Sequence, residues 1–172
     1  MDYIHRVNLI PDPRFRHVAD MKVTGVDAVA VDHENGHRYV KAVWDGKTQD
    51  PYLNLAHDIG TVPGSYRLHF NAFAQGGTGR VRVYTRNADT MSYGDPVLDV
   101  NVRDGQTVRK ASDPFTLKTF TIVRIIPPKT EGSAIMITEC NLERASTFDE
   151  SYPYFDWATM PDPRGGGVGY SS

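Results

Sequence analysis

Between Ser65 and Arg86 the chain alternates. Tyr66, Leu68, Phe70 and Ala72 occupy one set of positions, and Arg67, His69 and Asn71 the other. After a Gln75-to-Thr78 link that holds two glycines, the pattern resumes with Val81, Val83 and Thr85 against Arg80, Arg82, Tyr84 and Arg86. Successive side chains of a strand point to opposite faces, so each stretch predicts a strand with one buried and one wet side. The short glycine-bearing link predicts a hairpin, which would set the two outward rows side by side.

Similar patterns predict strands at 38–44, 96–102, 115–126 and 133–142, with a less regular one at 22–31. Turn residues separate them, among them Glu34-Asn35-Gly36, Tyr93-Gly94-Asp95, Arg103-Asp104-Gly105 and Glu131-Gly132. Clean 3.6-residue periodicity is missing beyond about two helical turns. The expected fold is all-β, an antiparallel β-sandwich over residues 1–143, followed by an irregular C-terminal extension over 144–172. At 172 residues and 40% hydrophobic, the chain suffices for one such core.

Stretch 133–142 is apolar on both alternate sets, Ala134, Met136, Cys140 and Leu142 on one and Ile135 and Ile137 on the other. A strand of this kind is covered on both faces. The cover expected here is the aromatic C-terminal segment or a second chain. The assembly candidates are therefore Ile135, Ile137, Tyr152, Tyr154, Phe155 and Trp157. Cys140, the single cysteine, reads as a small core residue.

Charge is segregated. Between Asp58 and Asp89 stand four arginines and no acid, whereas Glu139 to Asp162 holds six acids and one arginine. The outward residues Arg67, His69, Asn71, Arg80, Arg82, Tyr84 and Arg86 are the candidate face for a ligand or an acidic partner, unless neighbouring strands balance them. Arginine forks and a tyrosine ring suit sugar hydroxyls or phosphate-bearing wall polymers. Trp44, Tyr52, Tyr93 and Trp157 are further aromatics, with Trp44 expected in the core. The formal net charge of −2 and pI near 6.3 argue against general nucleic-acid binding. No catalytic triad, phosphate loop or His-Glu-x-x-His occurs, and the acids and histidines of Asp32–His37 fall on a turn rather than a metal-binding helix. The N-terminus lacks a secretory pattern, and no apolar run reaches the ~20 residues of a membrane span. Synthesis in the cytoplasm is expected.

Two terminal segments carry a resemblance. Asn8-Leu9-Ile10-Pro11-Asp12-Pro13-Arg14-Phe15 opens the chain; Leu142-Glu143, Ala145-Ser146-Thr147 and Pro153-Tyr154-Phe155-Asp156 close it. They resemble the brackets of the carbohydrate-binding-module-like domains in minor tail proteins of bacteriophages. The resemblance implies a jelly-roll sandwich acting without catalysis as a virion structural protein. Its expected place is the phage tail tip or baseplate, with other virion proteins and copies of itself as partners. Host attachment would then run through cell-wall glycan. The alternatives are a free glycan-binding module and a capsid decoration or head-fibre protein. Neither nucleic acid nor membrane is an expected partner. In sugar-binding relatives a carboxylate after the opening Phe helps organise a calcium; Arg16 stands there in this chain, so no metal or other cofactor is expected.

Overall fold

The computed structural model describes residues 5–32, 38–155 and 159–161. Two antiparallel sheets make up the sandwich. The front sheet has five strands in the order β2 (Lys22–Thr24), β5 (Tyr52–Gly60), β11 (Phe120–Ile126), β7 (Gly79–Arg86) and β8 (Leu98–Val102). The back sheet runs β10 (Phe115–Leu117), β6 (Gly64–Gln75), β12 (Ala134–Arg144), β4 (Arg38–Trp44) and β3 (Val26–Asp32), and β9 (Thr107–Ala111) also pairs with β6. Near the termini, β1 (His5–Val7) pairs with β13 (Thr159–Pro161). Among the described residues the helical structure is one 3-10 turn, Val18–Asp20, and no helix is long and apolar enough to cross a membrane.

Period-two alternation builds the core from both sides. Leu68, Phe70, Ala72 and Ala74 of β6 and Val40 and Ala42 of β4 face Leu53, Val81, Val83, Val123 and Ile125 of the front sheet, all at most 2% exposed. The all-β sandwich expected from the sequence is the observed fold.

The expected hairpin is not formed. Strands β6 and β7 lie in different sheets, because the Gln75–Thr78 link carries the chain from back to front. Gly76 (φ 90°) passes so close to Ser133 that a side-chain carbon there would sit 2.9 Å from the Ser133 Cβ. The glycines answer a tight crossing and not a two-residue turn. Likewise, stretch 22–31 is two strands: Gly25 (φ 66°) breaks it, sending β2 to the front sheet and β3 to the back.

A bulge explains the doubly apolar last strand. The β6–β12 register slips by one residue between Thr138 and Asn141, where Glu139 takes a φ of 52°. The extra residue resets which alternate positions point inward. Ile135 and Ile137 face the core before it, and Cys140 and Leu142 after it, each at most 1% exposed. Ile135 and Ile137 are thus core residues of their own chain and not an assembly surface. Burial also pushes the Cys140 thiol far above its ordinary pKa, which keeps it an inert apolar filler.

The termini close on each other. Leu9 N–H donates to Leu142 O at 2.8 Å. Asn8 accepts from Ile10 N–H (3.0 Å) and Leu142 N–H (3.2 Å) and donates to Cys140 O (3.0 Å) and Phe155 O (3.1 Å). Ile10 and Phe15, both 1% exposed, plug this end of the core. Asp12 caps the turn around Phe15 by accepting from Arg16 N–H and His17 N–H. Phe155 is buried beneath Arg6, whose guanidinium carbon stands 4.8 Å from the ring centroid. It is therefore packed on its own domain rather than free for docking. Tyr154 donates to Pro13 O at 3.1 Å, Tyr152 is 51% exposed, and Trp157 lies outside the described residues.

Candidate functional site

Separating β6 from β7 divides the candidate face. Arg67, His69 and Asn71 look outward from the back sheet; Arg80, Arg82, Tyr84 and Arg86 look outward from the front sheet. The two groups stand on opposite sides of the sandwich.

The back-sheet group is engaged within the chain. Arg67 donates to Ser112 O and Glu150 Oε1, both at 2.8 Å, and its guanidinium lies 4.5 Å from the Phe148 ring centroid. Glu150 belongs to the acidic C-terminal stretch, so the segregated charges meet inside one molecule. His69 is 2% exposed, with Nδ1–H donating to Glu139 O at 2.8 Å. Burial holds the His69 pKa below its ordinary value, against the raising effect of Glu139. Asn71 donates to the Glu139 carboxylate.

At one end of the front sheet Arg86 is also committed. It grips Asp58 through Nε and Nη2 (3.1–3.2 Å), donates to Thr90 O at 2.6 Å and stacks on Phe120 at 4.5 Å. The Tyr93 hydroxyl, then Arg86, hold the Asp58 carboxyl below the usual carboxylate range, while burial and Asp58 push Tyr93 up to about 12. This knot fixes the 87–97 loop.

The rest of the front face forms a groove of about 570 Å³. Its walls include Tyr52, Arg80, Arg82, Tyr84, Arg124 and Lys129. Strand register builds it: Asn54, Arg124, Arg82 and Asp99 stand opposite one another across β5, β11, β7 and β8. Arg124 lies with its guanidinium carbon 3.8 Å from the Tyr52 ring centroid and 5.3 Å from that of Tyr84. Its Nε donates to Asn54 Oδ1 at 2.8 Å, and Asn54 in turn donates to His57 Nδ1 at 2.9 Å. Arg82 donates to the Tyr84 hydroxyl at 3.3 Å and approaches Asp99 at 3.2 Å. Tyr84 meets Tyr93 edge to face, centroids 6.5 Å apart. Two aromatic walls with a fixed arginine between them can stack a ring and hydrogen-bond its substituents at once.

Alternation along the sequence locates Arg80, Arg82 and Tyr84 but not their neighbours. Strand β5, with Asn54 and Tyr52, carries no clear strand signal, and Arg124 lies in the 115–126 stretch without a neighbour in sequence that marks it as part of a site. Tyr52-x-Asn54 is outward-facing by alternation with Leu53 and Leu55, a signal blurred by the irregular pairing that follows at Ala56–Ile59. Trp44, expected in the core, is half-buried and donates Nε1–H to Thr48 O at 2.8 Å. Among the described residues no group of three or more His, Cys, Asp or Glu is placed to hold a metal ion. Residues 33–37 of the histidine-bearing turn lie outside those residues.

No protein-family model matches the chain, and no curated protein matches it in sequence. Solved structures do. A family 61 carbohydrate-binding module in complex with β-1,4-galactotriose superposes with a TM-score of 0.56 at 16% identity, over 80% of this chain and 98% of that one. The tandem family 22 modules from Paenibacillus barcinonensis give 0.53 at 10% identity, over 81% of this chain and 50% of theirs. A point mutant of a family 29 module gives 0.50 at 15% identity, over 83% and 92%. At such identities the likeness establishes a shared sandwich fold.

Proposed function

We propose that the chain is a non-catalytic carbohydrate-binding domain whose ligand lies along the front-sheet groove. The observation that carries this is the Tyr52–Arg124–Tyr84 stack, set in an open groove and held by the cross-strand row from Asn54 to Asp99. A sugar ring offers C–H groups to an aromatic face and hydroxyls at its rim, which this pairing of tyrosine walls with polar side chains matches. The fold shared with carbohydrate-binding modules, one of them in complex with a galactotriose, supports the reading. A glycan array tests it. The full chain should bind array members, Tyr52→Ala and Tyr84→Ala should lose them, and Arg67→Ala on the back sheet should retain them. Equal loss from Arg67→Ala, or no effect of either tyrosine, would move the site elsewhere.

The setting we propose for such a domain is a phage tail, where the groove would meet host cell-wall polysaccharide. What supports it is the resemblance of the terminal brackets, whose contact through Leu9 and Leu142 fits the closure that the resemblance implies. Labelling intact particles with an antibody to the chain distinguishes tail tip from head. Absence from particles would leave the binding domain without that setting.

A further inference from the structure

We infer that the glycan taken by this groove is anionic, and that Arg124 reads its charge. The inference rests on the groove being the sugar site and names the class of sugar. Its basis is an imbalance between donors and acceptors. Arg80 and Arg82 share a single carboxylate, Asp99, at 3.1 and 3.2 Å. Lys129 spends one donor on Gln49 O at 2.8 Å. The Asn54 amide is used on both atoms, its oxygen by Arg124 and its nitrogen by His57. The acceptors beside the groove's arginines, Asp99 and Asn54, are thus engaged, and among the lining residues Asp50 is the one carboxylate, with the Gln49 amide and the Thr78 and Tyr52 hydroxyls as neutral acceptors. Ionised arginine and lysine only donate, so among charged groups the groove offers a partner the donors of Arg80, Arg82, Arg124 and Lys129 against the one lining carboxylate of Asp50.

Arg124 concentrates that surplus. It stands directly opposite Arg82 in the β11–β7 pairing, and Asp99, on the far side of Arg82, is the counter-ion of Arg82 and not of Arg124. Among the described residues no carboxylate lies within ion-pair reach of it. Its Nε is fixed by Asn54 and its plane by Tyr52, which leaves both Nη groups as a rigid fork. Such a fork matches two oxygens of a carboxylate or a phosphate. The local positive charge stands out against a chain whose formal net charge is −2.

Calorimetric titration of the full chain tests this with three probes: hexagalacturonate, its fully methyl-esterified form and poly(glycerol phosphate). The acid should bind on the order of tenfold tighter than the ester, which has the same skeleton without the charge. Stronger binding of hexagalacturonate than of poly(glycerol phosphate) assigns the anion to uronates, and the reverse to phosphodiesters. Arg124→Gln should bring acid and ester together, and Arg124→Lys, which keeps the charge but not the fork, should lose most of the preference. A thermal midpoint close to that of the parent chain reads out an intact fold in both variants. Equal affinity for acid and ester with no tighter binding of poly(glycerol phosphate), or a preference that survives in Arg124→Gln, would overturn the inference and leave the groove a site for neutral sugars. Tighter binding of a single-stranded oligonucleotide than of either polyanion would overturn it as well. Failure of every probe together with a blank glycan array would remove the sugar site itself.

Discussion

Arg6 and Glu143 are both fully buried and meet through two hydrogen bonds, Nε to Oε2 at 2.8 Å and Nη2 to Oε1 at 2.7 Å. Their remaining polar atoms are used: Arg6 also donates to Tyr152 O, and Glu143 accepts from Asn141 and Thr147. Removing one partner of such a pair leaves a charge without compensation, at a cost of about 3–5 kcal/mol, whereas replacing both with apolar residues of similar size costs far less. Arg6→Met and Glu143→Leu should each lower the urea midpoint sharply, and the two together should recover much of the loss. If the double variant were as unstable as the sum of the single ones, the clasp would not be a coupled pair. His69 sets a pH dependence. Burial depresses its folded-state pKa, so the unfolded chain takes up the proton first as pH falls below the ordinary 6.5. Its contribution is full above that value and is lost as pH falls toward the folded pKa. His69→Asn, which keeps a donor for Glu139 O, should flatten the fall in stability between about pH 7 and pH 5 relative to the parent chain. Parallel curves would assign the fall to other groups.

At the scale of elements, the bulge in β12 makes an opposite pair of predictions. Glu139 is one residue too many for regular pairing with β6. Deleting it should restore a continuous register with Cys140 and Leu142 still inward, and the variant should unfold in one cooperative transition. Inserting an alanine after Thr138 adds a second extra residue, turns Leu142 out of the core and should abolish that transition. Cooperative folding of the insertion would show that the strand tolerates either register. The same bulge explains what the sequence left unreadable here. Alternation reports the face of a strand faithfully, as at Leu68 and Phe70 or Val81 and Val83, until one extra residue shifts the parity. In the 133–142 stretch the parity change puts apolar residues on both alternate sets, while the second face is covered at its far end, over Asn141 and Glu143, by Arg6 and the 147–155 segment. Alternation also says nothing of which sheet a strand joins. Period two is the same in β6 and β7 whether Gln75–Thr78 folds back as a hairpin or crosses the sandwich, and the crowding at Ser133 that marks the crossing is a tertiary contact.

For the whole molecule, the sandwich was legible because strand periodicity and turn residues are local signals. The site was legible only by half. Arg80, Arg82 and Tyr84 could be picked out as outward residues of one strand, but the groove arises where β5, β11 and β7 come into register. Its other members, Tyr52, Asn54 and Arg124, are far away in sequence. The charge segregation had the converse fate: Arg67 pairs with Glu150 and Arg86 with Asp58 within the chain, so part of the basic face stabilises the fold and the groove arginines are left to serve a ligand. The central claim is thus spatial, that one face of the sandwich binds carbohydrate and the other does not. The measurement that tests it most directly is a backbone amide chemical-shift titration of the full chain with the best ligand from the glycan array. Shifts confined to β5, β7 and β11 around Tyr52, Arg82, Tyr84 and Arg124 are the result expected. Shifts centred on Arg67, His69 and Asn71 of the back sheet, with the front groove unmoved, would contradict it.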